Sequence, residues 1–484
     1  MVNNCVLKGL KPEGVFEFFG EILAVPRPSK HEGKMTEYLL NWAKQRGLEH
    51  ERDAIGNVII RKGATKGMEN KPWVCLQAHI DMVCEKNGDK CFDFMKDAIE
   101  PRIENGWLMA TGTTLGADDG IGVATALAIL DAKDVVHGPI ECLFTVDEET
   151  GLSGANALSP TALKSRILLN LDSEDEGEMF IGCAGGVDTL AKLPFEREDT
   201  PRGAYFRISV KGLKGGHSGD DINKGLGCAN KLLNRILWEA DKEMDMRLAC
   251  FNGGNLRNAI AREAYAEVVV TEQEAEDLRR LVEKFSGDLK YEFRSTEPNM
   301  QITMESIAKP AFVVDMLSQD NLLNVLYACP HGVLAMSREI PNFVETSTNL
   351  ASVKTEENHF FITTSQRSSV ESAKEAAASR VESCFMLAGA DVEHTDGYPG
   401  WAPNTDSHVL KVAVEAYKKL FGKEPVVRAI HAGLECGLIG EKYENMDMIS
   451  YGPTLRGVHS PEERLEIATV DLFWRHTLEI LKNI

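Results

Sequence analysis

The sequence predicts an α/β protein: a mixed, mostly parallel sheet built from residues 1–185 and 401–484, with an α+β domain, residues 186–400, inserted between the two parts. Three observations predict it. Short apolar runs at 140–146 and 167–172 stop abruptly at acidic residues, as strands buried in a parallel sheet do. Past Gly185-Gly186, strand-like runs alternate with charged helical runs, until Gly397-Tyr-Pro-Gly-Trp-Ala-Pro403 closes the stretch. After residue 403 the first pattern resumes. A length of 484 residues calls for two or three domains on size alone.

Bulk properties exclude several classes of function. The formal net charge of −21 argues against nucleic acid or an anionic membrane surface as the partner. The longest mostly apolar run, 121–130, is too short to cross a bilayer. Met1-Val-Asn-Asn-Cys-Val-Leu-Lys lacks the apolar core of a secretory signal. Eleven dispersed cysteines without a CxxC pair read as reduced thiols of a cytoplasmic protein, and argue against cysteine-ligated zinc.

In chain order, Val15, Phe18, Phe19, Ile22 and Leu23 mark one helix face, ended by Pro26 and Pro28. Ser29 and Glu32 make a capping-box pattern for a helix carrying Met35, Leu39, Trp42 and Ala43, with Gly47 at its C-cap. Strands are expected at 58–60 and 73–76, the second running into His79-Ile-Asp81. An Ala-rich apolar helix, 121–130, follows Leu115-Gly-Ala-Asp-Asp-Gly120. In the inserted portion, strands at 205–210, 264–270 and 360–364 alternate with helices at 272–285 and 370–387. A weak duplication shows there: Asn258 precedes one strand–helix pair and Asn349 another. Beyond 403 come a helix at 406–421, a strand at 425–430, a glycine-punctuated turn His431-Ala-Gly-Leu-Glu-Cys-Gly437, and a strand at 446–451. Arg456-Gly-Val-His459 precedes a Ser-Pro-Glu-Glu helix start, and the closing helix is 469–484.

The chemistry gathers at strand ends. His79 and Asp81 share a face in extended chain, a pattern of metal ligand and orienting carboxylate, or simply a polar strand end. The loop around Asp118-Asp119 could cradle a phosphate, but two aspartates favour a cation and Walker A is absent. Asp147-Glu148-Glu149 is either an acidic solvated turn or a site where one glutamate binds a cation and its neighbour faces the atom under attack. Asp172 ends another strand. Four such segments at one sheet edge would repel by several kcal/mol unless divalent metal compensates. Carboxylates with few histidines and no sulfur fit two bridged cations, zinc first. His217, in Gly215-Gly-His-Ser-Gly219, and His459 read as loop histidines in isolation.

The ordered set HID, LGADDG, DEETG, NLDSE, GGHSG, HAGLEC and HSPEE resembles the co-catalytic dinuclear zinc exopeptidases, in the spelling of their aminoacyl-histidine dipeptidase branch (peptidase D, cytosolic non-specific dipeptidase). It spans nearly the whole chain. The resemblance implies a zinc-exopeptidase catalytic domain with an inserted lid domain. It implies two Zn2+ per chain, with Co2+ or Mn2+ as substitutes. His79 and Asp172 would bind one ion, Glu149 and His459 the other, and Asp118 both, its peptide to Asp119 being cis. Asp81 would orient His79, and Glu148 would be the general base. His217 would donate to the oxyanion, from its own subunit or across a dimer. Arg367 is the candidate clamp for a substrate carboxylate, with Asn258 and Gly433 as further substrate contacts.

The implied function is hydrolysis of dipeptides, aminoacyl-histidine types such as carnosine preferred, by a cytoplasmic homodimer whose partner is a small peptide. A deacylase or tripeptidase on the same scaffold is the alternative. A non-catalytic peptide-binding protein is the third reading, and the retained Glu148 beside Glu149 opposes it.

Overall fold

A computed structural model describes residues 6–484, which divide into two compact units. The first holds the chain up to Gly182, Pro403–Ala429 and Leu434–Ile484; the second holds Cys183–Ala402 and Ile430–Gly433. Six residues expected with the C-terminal part, Trp401, Ala402 and Ile430–Gly433, therefore group with the inserted portion. The signal-free reading of the N-terminus rests partly on residues 1–5, which lie outside those described.

In the first unit, eight strands lie in the order Glu49–Arg52, Val58–Lys62, Ile140–Thr145, Val74–His79, Ile167–Asn170, Asp447–Ser450, Glu178–Cys183, Val426–Ile430. The four from Ile140–Thr145 to Asp447–Ser450 run parallel. Antiparallel pairing begins outside them, at Val58–Lys62 and at Glu178–Cys183. Val74–His79 and Ile140–Thr145 are buried throughout, which is why they read as mostly apolar runs, with Gln77, Glu141 and Thr145 as buried polar exceptions. Helix Ala117–Asp131 packs on Val74–His79 and on helix Glu13–Ile22. Its Gly, Ala, Val, Ile and Leu residues are buried nearly all round. Because the central strands share one direction, their C-terminal ends bring His79, Asp147–Glu149 and Asp172 to one sheet edge.

Two local expectations fail. Ser29 and Glu32 do not cap helix Gly33–Gln45: the Ser29 hydroxyl donates to Asp81 Oδ2 at 2.8 Å, and Glu32 Oε1 accepts from the backbone N–H of Lys30 and Asp147. Nor does Ser-Pro-Glu-Glu open a helix. Leu455–Arg456 pairs with Arg464–Glu466, and the closing helix begins at Ile467. The Glu463 carboxylate, which a capped helix would need, is taken by a distant loop.

The second unit is built on a nine-stranded antiparallel sheet whose main order is Gln301–Ser306, Ala204–Lys211, Ala264–Val270, Arg247–Gly253, Val344–Thr355, His359–Ser368, Gly185–Pro194, Asp391–His394, with Gly332–Met336 also paired to Val344–Thr355; Arg197–Glu198 and Val313–Val314 form a separate pair. Its order contains a repeat. Strands Ala204–Lys211, Arg247–Gly253, Ala264–Val270 and Gln301–Ser306, with helices Ala229–Glu243 and Ala275–Glu292, form a βαββαβ unit of spatial order 4-1-3-2. Gly185–Pro194, Val344–Thr355, His359–Ser368 and Asp391–His394, with helices Met316–Ala328 and Glu371–Leu387, form a second of the same order. The second strands of the two copies adjoin, at Gly253 opposite Val353. Asn258 and Asn349 do not mark equivalent places: Asn258 lies between strands, and Asn349 lies within Val344–Thr355. None of the ten described cysteines forms a disulfide, and no described helix is long and apolar enough to cross a membrane.

Candidate active site

Helix Ala117–Asp131 starts with two residues of non-helical backbone, Asp118 and Asp119, joined by a cis peptide. This break turns the Asp118 carboxylate toward two histidines from opposite ends of the chain. Asp118 Oδ1 lies 3.1 Å from His79 Nε2, and Oδ2 lies 3.1 Å from His459 Nε2. Asp172 Oδ1 lies 3.7 Å from His79 Nε2, and Glu149 Oε2 lies 3.0 Å from His459 Nε2. The result is two donor groups, His79–Asp118–Asp172 and Asp118–Glu149–His459, that share Asp118. Glu148 and Glu149 form a further group with His79. All five expected ligand residues thus come together with Glu148.

The donor set suits divalent cations. It is all imidazole nitrogen and carboxylate oxygen, without sulfur, as hard-to-borderline ions require. Among the described residues, no lysine or arginine pairs with Asp118, Glu148, Glu149 or Asp172, and Glu149 Oε1 is buried without a partner. His79 Nδ1 faces Asp81 Oδ1 at 3.2 Å, which leaves Nε2 aimed at the carboxylates. Asp81 is itself held by Ser29 and by the backbone N–H groups of Glu148 and Glu149.

Electrostatics show the strain of the acids among themselves. Burial pushes the Glu148 carboxyl up to about 8, with Glu435, Glu149 and Asp118 adding to the rise and His79 opposing it. Burial also raises Asp172, and Asp119, Asp118 and Glu148 raise it further against His79. Burial opposes the His79 cation, yet Asp172, Asp118 and Asp81 outweigh it and raise the imidazole. Hydrogen bonds to Asp118 and Glu149 push His459 up to about 11. Cations bound among these groups would favour their deprotonated forms.

Two buried residues that sequence reasoning missed hold the loops. Glu463 Oε2 accepts from the N–H of Leu115 at 2.7 Å and Gly116 at 2.9 Å; Oε1 accepts from Ala117 at 2.8 Å and Asp118 at 3.3 Å. These are the N–H groups a phosphate would have used, so the glycine-rich loop is no phosphate cradle. Arg27, 2% exposed, donates to the carbonyls of Ile80 at 3.1 Å, Asp81 at 2.5 Å, and Gly116. A methyl at Gly116 or Gly120 would come within 2.6 or 2.7 Å of Arg27 Nη2, which explains both glycines. The only sequence signals were an arginine between two prolines and a second glutamate in HSPEE. The turn Glu148–Gly151 is a single helical turn between left-handed Asp147 and Leu152, and Asp147 accepts from the Thr150 and Ser153 hydroxyls. The two glutamates therefore leave the strand on a helix, not in extended chain.

The second unit gathers the remaining predicted residues. His217 Nδ1 accepts from the N–H of Gly219 and Asp220, each at 3.3 Å, so Nε2 carries the proton and is a donor. Burial and the Arg367 charge hold His217 below the usual histidine range, hence neutral. The backbone of His217 bridges Ala259, and Asn258 O accepts from the Ser218 N–H; the Asn258 residue is exposed. Arg367, 7% exposed on strand His359–Ser368, donates through Nη1 to Tyr398 Oη at 2.9 Å, while its Nε has no partner among the described residues. A buried guanidinium without a carboxylate is a ready anion site. Gly433 stands against Tyr398: a methyl there would lie 2.9 Å from the ring. The glycine leaves room for that ring. Tyr398, missed from the sequence, and the buried pair His431 Nε2–Ser347 Oγ at 2.7 Å complete the cluster.

Residues 75–481 match the family model described as Peptidase family M20/M25/M40. The chain is 46% identical over 479 residues to the cytosol non-specific dipeptidase of Escherichia coli strain K12, covering 99% of each. Among solved structures, the aminoacylhistidine dipeptidase of Vibrio alginolyticus shares 44% identity with a TM-score of 0.93, over 99% of this chain and 98% of that one. The aminopeptidase PepT of Bacillus cereus, at 19% identity and TM-score 0.58 over 98% of each chain, shares the fold.

Proposed function

This chain belongs to peptidase family M20/M25/M40, and from that premise we propose that it is a cytoplasmic, metal-dependent dipeptidase that cleaves aminoacyl-histidine dipeptides, carnosine-like ones included. The observation that carries the reading is Asp118, whose two oxygens serve two His–carboxylate groups that no described lysine or arginine enters. Near-full-length likeness to proteins named dipeptidases supports the substrate class, and the relative's cytosolic name supports the compartment.

His79 and Asp172 would hold one divalent ion, Glu149 and His459 the other, and Asp118 both. Zinc suits the donors best, with Co2+ or Mn2+ as substitutes. When bound, such ions supply Lewis acidity that brings the pKa of a water toward ~7. Glu148 then takes the water's proton and delivers it to the leaving amine. Asp81 keeps the His79 ring in its ligating tautomer. His217, with its proton on Nε2, donates to the carbonyl oxygen as negative charge develops. Arg367 pairs with the substrate's C-terminal carboxylate, and the exposed Asn258 contacts the substrate backbone. Gly433 places a backbone group against the substrate, beside Tyr398, which steadies Arg367. A homodimer is the proposed assembly, on the resemblance alone.

The test is hydrolysis of a dipeptide library, with tripeptides and N-acyl amino acids as further arms, before and after chelation and with metal added back. Chelator-sensitive cleavage strongest on dipeptides is the expected result. Faster turnover of tripeptides or acyl amino acids, or cleavage indifferent to chelation, overturns the proposal.

A further inference from the structure

Glu435 opens helix Glu435–Lys442 and is fully buried, yet no lysine or arginine pairs with it among the described residues. Its Oε2 accepts from Gln77 Nε2 at 2.6 Å and from the Thr145 hydroxyl at 2.8 Å. Gln77 Oε1 in turn accepts from Asn170 Nδ2 at 2.6 Å. That acceptance fixes the orientation of the Gln77 amide, so its NH2 must point at Glu435. Gln77, Thr145 and Asn170 are each 0% exposed. They belong to the neighbouring parallel strands Val74–His79, Ile140–Thr145 and Ile167–Asn170, near or at the C-terminal end of each. Two residues beyond Gln77 is His79, two beyond Asn170 is Asp172, and three beyond Thr145 is Glu148. One carboxylate thus terminates a hydrogen-bond chain across the three strands whose ends carry the donors.

We propose that Glu435 is a positioning residue that sets the spacing of His79 and Asp172 for cation binding through Gln77, Asn170 and Thr145. The inference rests on the metal-dependent reading above. Stability alone gives no reason for the group: a buried carboxylate with no cation is costly, and an apolar side chain of similar volume would avoid that cost. The glutamate makes sense if it determines where the strand ends lie.

The experiment is zinc titration of the full-length metal-free protein, with thermal unfolding measured in parallel, for wild type, Glu435→Met, Glu435→Gln and Thr145→Val. In wild type two equivalents bind. Glu435→Met should weaken one equivalent at least tenfold, leave the other within about threefold, and leave the metal-free melting temperature unchanged or higher. Glu435→Gln keeps an acceptor oxygen for Gln77 and Thr145, and should restore binding to within about threefold of wild type. Thr145→Val removes one donor with little change of shape; it should weaken the same equivalent, and it decides the matter if Glu435→Met does not fold. Wild-type affinity for both equivalents in Glu435→Met or Thr145→Val, or equal loss in Glu435→Met and Glu435→Gln, overturns the inference while the metal-dependent reading stands. Failure of the wild type to bind two equivalents overturns both.

Discussion

Replacing Glu463 with glutamine should be nearly as damaging as replacing it with alanine. Each carboxylate oxygen accepts from two backbone N–H groups, Leu115 and Gly116 on one side, Ala117 and Asp118 on the other. An amide keeps one oxygen and turns an NH2 toward the other two donors, whichever way it flips. Two buried N–H groups then lose a charged acceptor, and hydrogen bonds to charged groups contribute about 1.5–3 kcal/mol each. The first unit should therefore lose about 3–6 kcal/mol. The loop that loses its anchor carries Asp118, so both metal equivalents should weaken. Calorimetric unfolding of the metal-free protein and zinc titration read the two effects separately. A Glu463→Gln protein within about 1 kcal/mol of wild type that still binds two zinc ions tightly would show that the loop holds its shape without this carboxylate.

Glu148→Ala should retain metal and lose roughly 10³-fold or more in kcat, measured on a histidine-containing dipeptide; near-normal turnover removes it as the base. His459→Ala should lower bound metal from two to one per chain by elemental analysis, and two retained ions would strike it from the ligand set. Arg367→Ala should raise KM about 10- to 100-fold for dipeptides with a free carboxylate, corresponding to the ~1.5–3 kcal/mol of a charged hydrogen bond. An equal rise for amidated dipeptides argues against the clamp. His476 donates to the Ala413 carbonyl at 2.9 Å between the Tyr417 and Tyr451 rings, and burial lowers it to about 4. The unfolded chain, with a histidine near ~6.5, binds more protons at mildly acid pH. Stability is thus complete above pH ~6.5 and falls as pH drops toward 4, by at most ~1.4 kcal/mol per pH unit from this group. His476→Gln should flatten that part of the melting-temperature profile, and identical slopes would refute the assignment.

The residue types at the candidate site are legible in the sequence. A strand buried on both faces is a mostly apolar run, so the point where it stops at His79, Asp147 or Asp172 stands out in the sequence itself. Most of the strands and helices expected from the same periodicity are present, although helix 272–285 runs on to Glu292, and helices Ala229–Glu243 and Met316–Ala328 and strands Arg247–Gly253 and Val344–Thr355 are not among those expected. The capping box at Ser29 and the helix start at Ser460 are false signals, because Ser29, Glu32 and Glu463 bond to partners far away in the chain. Local pattern cannot show that a polar side chain is already engaged elsewhere.

The family resemblance implied how the donors group; only the tertiary structure gave the geometry, in which Asp118 divides its two oxygens between histidines 39 and 341 residues away, each at 3.1 Å. It also decided which residues hold them in place. Glu463 reaches back 348 residues to Leu115, and Glu435 reaches back 358 to Gln77. A hydrogen bond of that span leaves no period in the sequence. It exists because the parallel order of the sheet brings the strand ends together, and strand order follows from packing that no short stretch of chain contains.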